Sequence, residues 1–252
     1  MTLNSHALTS ALDYFMKKII IGYFSFIYIV FLSFPSIAKN IEGINLDLTR
    51  VILDSQQKSA SIKVNNFNNK NWLLRSWISE YKNDEKNNNF ILTPPLYRIS
   101  PDESIQLRID YISQSLPMDK ESVFRINVLA IPAIQKDNSS TPQNSTNLQF
   151  AINNRIKLFY RPHKLNKQDI IDAAFKSLKV SKNKNNVQIK NPTPYYITMD
   201  DVKVNGKKVT SIEDFMVAPY STLNIPERNA ISFSFTTIND YGGKSPVTKI
   251  NF

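Results

Sequence analysis

Apolar and polar residues alternate along much of the chain in short runs, with the period of two that a half-buried β-strand requires. The pattern is cleanest at Ser104-Ile105-Gln106-Leu107-Arg108-Ile109-Asp110-Tyr111, where Ile105, Leu107, Ile109 and Tyr111 share one face. Runs of this kind cover residues 44–53, 59–65, 72–81, 104–111, 123–131 and 148–160, and turn material rich in Asn, Asp, Lys and Pro separates them. That spacing predicts a β-sandwich. Beyond Arg161-Pro162, residues 166–178 place Ile170, Ile171, Ala174, Phe175 and Leu178 at helical spacing, which predicts a short connecting helix. The strand pattern then resumes at 187–190, 195–204, 221–225, 231–238 and 247–252, so a second, smaller β-domain follows. Within it Asn205-Gly206 predicts a type I′ hairpin, because both central residues of that turn need positive φ.

Two segments stand outside this pattern. Met16-Lys17-Lys18, the apolar run 19–34 and Ser36-Ile37-Ala38 have the charged start, apolar middle and small-residue end of a secretory signal peptide. The length of the run also suits an uncleaved membrane anchor, and the Ser-x-Ala ending favours cleavage. Residues 1–38 are therefore read as an upstream extension plus a cleaved signal peptide, residues 39–161 as a first domain and 162–252 as a second. The other segment, residues 133–147 (AIQKDNSSTPQNSTN), is polar, contains proline and joins two apolar strands, which predicts a mobile loop. Glycosylation-type matches at Asn138 and Asn144 arise readily in such a composition and receive no function.

Composition narrows the chemistry. A hydrophobic content of 42% supports real cores. Removing residues 1–38 takes away Lys17, Lys18 and Asp13, which changes the formal charge from +10 to +9. A basic balance in an exported protein reads either as attraction to acidic polypeptides, carboxylates or envelope surfaces, or as plain solubility. The chain has no cysteine, so packed cores and not disulfides must supply stability. After residue 38 the only histidine is His163, and the only glycines are Gly43, Gly206, Gly242 and Gly243. A catalytic triad, a zinc site or a phosphate-cradling glycine loop finds no material there. The basic residues also lack the aromatic interleaving of a single-strand nucleic-acid groove. The expectation is no enzyme, no metal, no cofactor, no nucleic acid and no small-molecule substrate.

Two features are odd on physical grounds. Strict alternation through residues 44–52 puts Arg50 on the same face as Ile44, Leu46, Leu48 and Ile52. A cation on an apolar face needs an anion, unless a strand end or bulge lets it reach water. The second is the long run 148–160, whose Leu148, Phe150, Ile152, Ile156 and Leu158 are either core or an exposed apolar edge offered to a partner.

Six segments carry a resemblance. Arg155-Ile156-Lys157-Leu158-Phe159-Tyr160-Arg161-Pro162 is the most specific, joined by Thr49-Arg50-Val51-Ile52 and Thr93-Pro94-Pro95-Leu96-Tyr97-Arg98. The others are residues 119–127 (DKESVFRIN), Asn191-Pro192-Thr193-Pro194-Tyr195-Tyr196 and Ile238-Asn239-Asp240-Tyr241-Gly242-Gly243. In this order they resemble the periplasmic pilus-assembly chaperones of the chaperone-usher pathway, across nearly all of the chain after residue 38.

The resemblance implies an all-β fold of two immunoglobulin-like sandwiches in an L or boomerang arrangement, with a cleft that takes a pilin's C-terminus. It implies that Arg50 and Lys157 anchor the subunit's terminal carboxylate. Leu148, Phe150 and Ile152 would be the donor-strand residues that complete an unfinished pilin. Glu121, Arg161 and Asp240 would form a charged network linking the domains. The implied partners are fimbrial subunits and an outer-membrane usher, the implied compartment is the periplasm, and the free protein is expected to be monomeric. Alternation puts Lys157 on the face opposite Leu148, Phe150 and Ile152, so the strand must serve cleft and pilin on different sides or twist between them. The loop at 133–147 is somewhat longer than in the family's short-loop branch, whereas the cysteine pair common in the long-loop branch is absent, and the missing pair points to the short-loop branch. The competing reading is a secreted immunoglobulin-like structural or adhesive fimbrial protein, which would lack a strand and polymerise.

Overall fold

The computed structural model describes residues 43–113, 115–133 and 150–252, together with Met16, Lys18 and Ile19. Most of the expected signal peptide, most of the 133–147 loop and Leu148 lie outside the described residues.

Residues 44–161 form two facing sheets. One has the strand order β1-β3-β7-β5, made of β1 (Ile44–Leu46), β3 (Ser59–Asn66), β7 (Ser104–Tyr111) and β5 (Phe90–Thr93). The other runs β2-β9-β8-β4-β6, made of β2 (Arg50–Asp54), β9 (Ile152–Arg161), β8 (Ser122–Pro132), β4 (Trp72–Glu80) and β6 (Leu96–Ile99). Their inner faces meet in a core that includes Leu53, Ile62, Leu74, Leu107, Ile109, Ile126 and Leu158, all at or below 1% exposure. Each such side chain contributes about 1.5–3 kcal/mol by leaving water. The alternation at 104–111 behaves as the sequence implied at its centre, where Leu107 and Ile109 are buried and Gln106 and Arg108 exposed.

The single strand expected at 44–53 is in fact two. β1 pairs with β3 in one sheet, the chain breaks at residues 47–49, and β2 pairs with β9, in parallel, in the other. Changing sheets shifts the parity by one residue. Ile44 and Leu46 face the core before the break, while Val51 and Leu53 face it afterwards. Arg50 therefore does not share the core face with Ile44 and Leu46, as strict alternation predicted. It points away from the first sandwich. β5 and β6 are not among the strands expected from the sequence, because each is short and the two are separated only by Pro94 and Pro95, which read as a turn.

The second sandwich pairs a sheet of order β10-β11-β15, made of β10 (Lys179–Lys182), β11 (Val187–Lys190) and β15 (Thr222–Ile225), with a larger one. The larger sheet has the order β13-β12-β16-β17, made of β12 (Ile197–Val204), β13 (Lys207–Lys208), β16 (Ser232–Ile238) and β17 (Thr248–Asn251), with β14 (Met216–Val217) also on β12. Val187, Ile189, Ile225 and Phe233 fill its core. The Asn205-Gly206 turn closes β12 onto β13, with φ of 52° and 78°. Between the sandwiches lie a 3₁₀ turn (His163–Leu165) and α1 (Gln168–Ala174), shorter than the helix expected at 166–178. Ile171 and Ala174 of α1 pack on Tyr195.

Candidate subunit-binding cleft

The parallel pairing of β2 with β9 puts Arg50 directly opposite Lys157. β8 then puts Arg125 opposite Lys157 on the other side. Three cations thus stand in one row across β2, β9 and β8, an arrangement that like charges disfavour unless anions or dipoles meet them. The row faces the second domain. Arg50 Nη1 donates to the carbonyl of Ile238 at 3.4 Å, while its Nε is buried and has no hydrogen-bond partner among the described residues. Lys157 Nζ donates to Thr198 Oγ1 at 3.2 Å and lies 3.7 Å from Asp214 Oδ1. Arg125 Nε donates to the Tyr81 carbonyl at 2.9 Å, with its guanidinium 4.3 Å from that ring's centre, and Arg155 pairs with Asp84.

Burial lowers the pKa of both Arg50 and Lys157. Desolvation holds Arg50 below its ordinary value against the raising charge of Asp240. Lys157 is likewise lowered by desolvation, with Asp214 opposing and the charges of Arg50 and Arg125 reinforcing. An added anion would relieve both.

β9 serves two sides, and this resolves the facing of its residues. Lys157, Phe159 and Arg161 look outward toward the second domain, whereas Ile156, Leu158 and Tyr160 look into the first sandwich. Ile152 has the inward parity and sits opposite Ala130, yet it is 44% exposed. Phe150 precedes the strand and is 68% exposed. β2 pairs only with residues 157–161 of β9. Residues 152–156 pair with β8 alone, so among the described residues their other edge is free.

The end of β9 ties the domains together. Arg161 Nε donates to Glu121 Oε1 at 2.6 Å, and Nη1 and Nη2 bind both oxygens of Asp240 at 2.6 and 2.9 Å. Glu121 Oε2 in turn accepts the N–H of Tyr196 at 2.8 Å. Burial would weaken the charge on Arg161, but the hydrogen bond to Asp240 and the Glu121 carboxylate outweigh it and hold the guanidinium above its ordinary value. Nearby, Asp54 accepts from His163 Nδ1 at 2.9 Å and from Asn166 Nδ2 at 2.7 Å, which fastens the linker to the first domain. Burial would raise the Asp54 pKa, yet the hydrogen bonds from Gln56, His163 and Asn166 keep it below the usual carboxylate range.

Several residues here escaped the sequence reading. Thr198, Asp214 and Tyr81 reach the cleft from separate parts of the chain and carry no local pattern that marks them. Gly242 belongs to the sixth segment that carries the resemblance, but its steric role did not show there. Its φ is +82°, and a Cβ there would meet Thr49 Oγ1 at 2.6 Å. Gly206 also has positive φ but opens onto empty space. Gly242→Ala is expected to destabilise the protein by about 1–2 kcal/mol from the backbone alone, and by more through the Thr49 contact. Urea unfolding should show it costing more than Gly206→Ala, with the excess reduced in a Thr49→Ala background.

Comparison with known proteins decides the family. Residues 43–166 match the model described as "Pili and flagellar-assembly chaperone, PapD N-terminal domain", and residues 173–249 match "Pili assembly chaperone PapD, C-terminal domain". The chain belongs to the pilus-assembly chaperone family. It is 38% identical over 208 residues to the chaperone protein FimC of Escherichia coli K12, spanning 81% of this chain and 82% of that protein. The crystal structure of the periplasmic chaperone SfaE is 33% identical, with a TM-score of 0.68 over 82% of this chain and 98% of that one. The Salmonella enterica chaperone SafB, solved in complex with the SafA pilin, is 26% identical, with a TM-score of 0.72 over 85% and 99%. Membership in this chaperone family favours the assembly reading over that of a structural fimbrial protein. No helix among the described residues is long and apolar enough to cross a membrane.

Proposed function

We propose that the protein is a non-enzymatic periplasmic chaperone that binds fimbrial subunits along the free edge of β9 and anchors their terminal carboxylate on Arg50 and Lys157. The observation that carries this reading is the direction of β2. β2 runs parallel to β9 and begins at Arg50, opposite Lys157, so among the described residues the lane beside residues 152–156 is vacant and ends on two cations. A guest strand that enters this lane parallel to β9 brings its C-terminus to those cations. An antiparallel guest would bring the wrong group.

Main-chain bonds to the free edge give affinity, and alternate side chains give register. Phe150 and Ile152, already exposed, are the donor side chains available to a subunit groove, with Leu148 the third member of the same parity. Charge-assisted hydrogen bonds from Arg50 and Lys157 would contribute about 1.5–3 kcal/mol each. The Glu121–Arg161–Asp240 network holds the two domains at a fixed angle, so that both sides of the cleft meet the guest together. Domains of residues 39–161 and 162–252 then act as one clamp, which hands the subunit to an outer-membrane usher. The likeness to fimbrial chaperones, one of them solved holding a pilin, supports the partner class.

The test is co-purification. Arg50→Ala and Lys157→Ala should fold normally by circular dichroism and bind the fimbrial subunit at least about tenfold more weakly. Undiminished retention of the subunit by both variants would remove the carboxylate anchor.

A further inference from the structure

A subunit carboxylate arriving at the cleft would find Lys157 already engaged. Asp214, between β13 and β14 of the second domain, holds one oxygen 3.7 Å from Lys157 Nζ. Its other oxygen accepts the Tyr81 hydroxyl, from just past β4 of the first domain, at 2.8 Å. Burial and the Asp214 acceptor keep the Tyr81 phenol above its ordinary pKa, so it remains a donor. Tyr81 therefore aims the carboxylate at the ammonium group. Of the row of cations, Arg125 has Asp84 at 3.8 Å and the Tyr81 carbonyl, and Arg50 has the Ile238 carbonyl. Among the described residues, the carboxylate that faces Lys157 is that of Asp214.

The arrangement is reversible by construction. The Asp214 side chain is 46% exposed. It borders an open cleft of about 550 Å³ between the domains, lined also by Tyr81, Val123, Tyr196 and Met216. It can swing aside without disturbing a packed core. Water screens the Asp214 end of the pair, 46% exposed against 21% for Lys157, and so weakens it. A guest carboxylate that reaches Arg50 and Lys157 together has two cations to bind, against one for Asp214.

We propose that Asp214 is a built-in competitor for the subunit's terminal carboxylate, occupying Lys157 in the free chaperone and yielding only to a chain end that engages both cations. This rests on the carboxylate-anchor reading above. The competitor sharpens selection for a free C-terminus over an internal acidic residue that reaches Lys157 alone. It also assists release, because Asp214 can return to Lys157 as the guest leaves.

The experiment uses a fluorescein-labelled peptide of about ten alternating valine and threonine residues, with a free C-terminal carboxylate, and its amidated twin. Fluorescence anisotropy is measured with the wild-type protein, Asp214→Asn, Lys157→Ala and the double variant. Asparagine keeps an acceptor for Tyr81 and removes only the charge. Wild type should prefer the free acid, and Asp214→Asn should bind the acid about two- to fivefold more tightly while leaving the amide unchanged. In the Lys157→Ala background the Asp214 substitution should have no effect. Equal or weaker binding of the acid by Asp214→Asn, or equal tightening for acid and amide, would overturn the competitor. If wild type does not distinguish acid from amide, the anchor itself falls and the competitor with it. A wild-type preference for the acid that Asp214→Asn fails to strengthen removes the competitor alone.

Discussion

Arg161→Ala is expected to lower the stability of the protein by about 3–5 kcal/mol, the cost of leaving a buried charge without its partner. The Arg161 and Glu121 side chains are 3% and 2% exposed, so neither is rescued by water. With the guanidinium gone, Glu121 keeps only the N–H of Tyr196. Asp240 loses both hydrogen bonds from Arg161. Urea unfolding followed by circular dichroism should show the loss. It should also show the transition separating into two, because this network crosses from the first domain to the second. Replacing the whole network, Arg161→Met with Glu121→Leu and Asp240→Leu, should recover a large part of the stability, since well-packed apolar residues do not carry the desolvation cost. A single transition with a loss below about 1 kcal/mol would mean that the ion pairs merely offset their own desolvation.

Tyr195→Ala is expected to cost a similar amount, about 3–5 kcal/mol for removing a fully buried aromatic side chain. Tyr195 is 1% exposed and packs with Ile171 and Ala174 in the small cluster that docks α1. Its hydroxyl donates to the carbonyl of Leu165 at 2.6 Å, and the Arg161 guanidinium lies 5.5 Å from its ring centre. One side chain therefore supports the linker, the helix and the interdomain cation. Tyr195→Phe should lose only about 1 kcal/mol, for one hydrogen bond. Hydrogen exchange should localise the damage in the alanine variant to residues 163–175. If exchange there stays unchanged in a folded Tyr195→Ala protein, α1 is held by something other than this cluster.

The Asn-Gly hairpin and the strands at 59–66, 104–111 and 197–204 were legible because the signal is local. A turn that needs positive φ selects its own residues, and a strand with one wet face writes its burial into alternate positions. The strands at 90–93 and 96–99 were not legible, since four residues flanking Pro94 and Pro95 hold too little alternation to separate a strand from a loop. Residues 166–178 kept helical spacing past the true end at Ala174, because Phe175 and Leu178 pack as partly buried residues without continuing the helix.

Arg50 marks the boundary between the two kinds of knowledge. From the sequence alone it is a cation misplaced on an apolar face, and that oddity was enough to raise the question of an anion. Sequence by itself determined the all-β character and the strand periods, since each depends on residue type and near neighbours. Only the tertiary structure decided that the chain breaks at 47–49 and changes sheets, which turns Arg50 out of the core and sets it opposite Lys157. It also decided that Thr198 and Asp214 of the second domain meet Lys157, and that among the described residues the lane beside residues 152–156 is free. The reason is physical. Alternation reports only which residues share a face within one strand, whereas sheet switching and interdomain contact are settled by partners elsewhere in the chain, Arg50 with Lys157 and Lys157 with Thr198, to which the local period is blind.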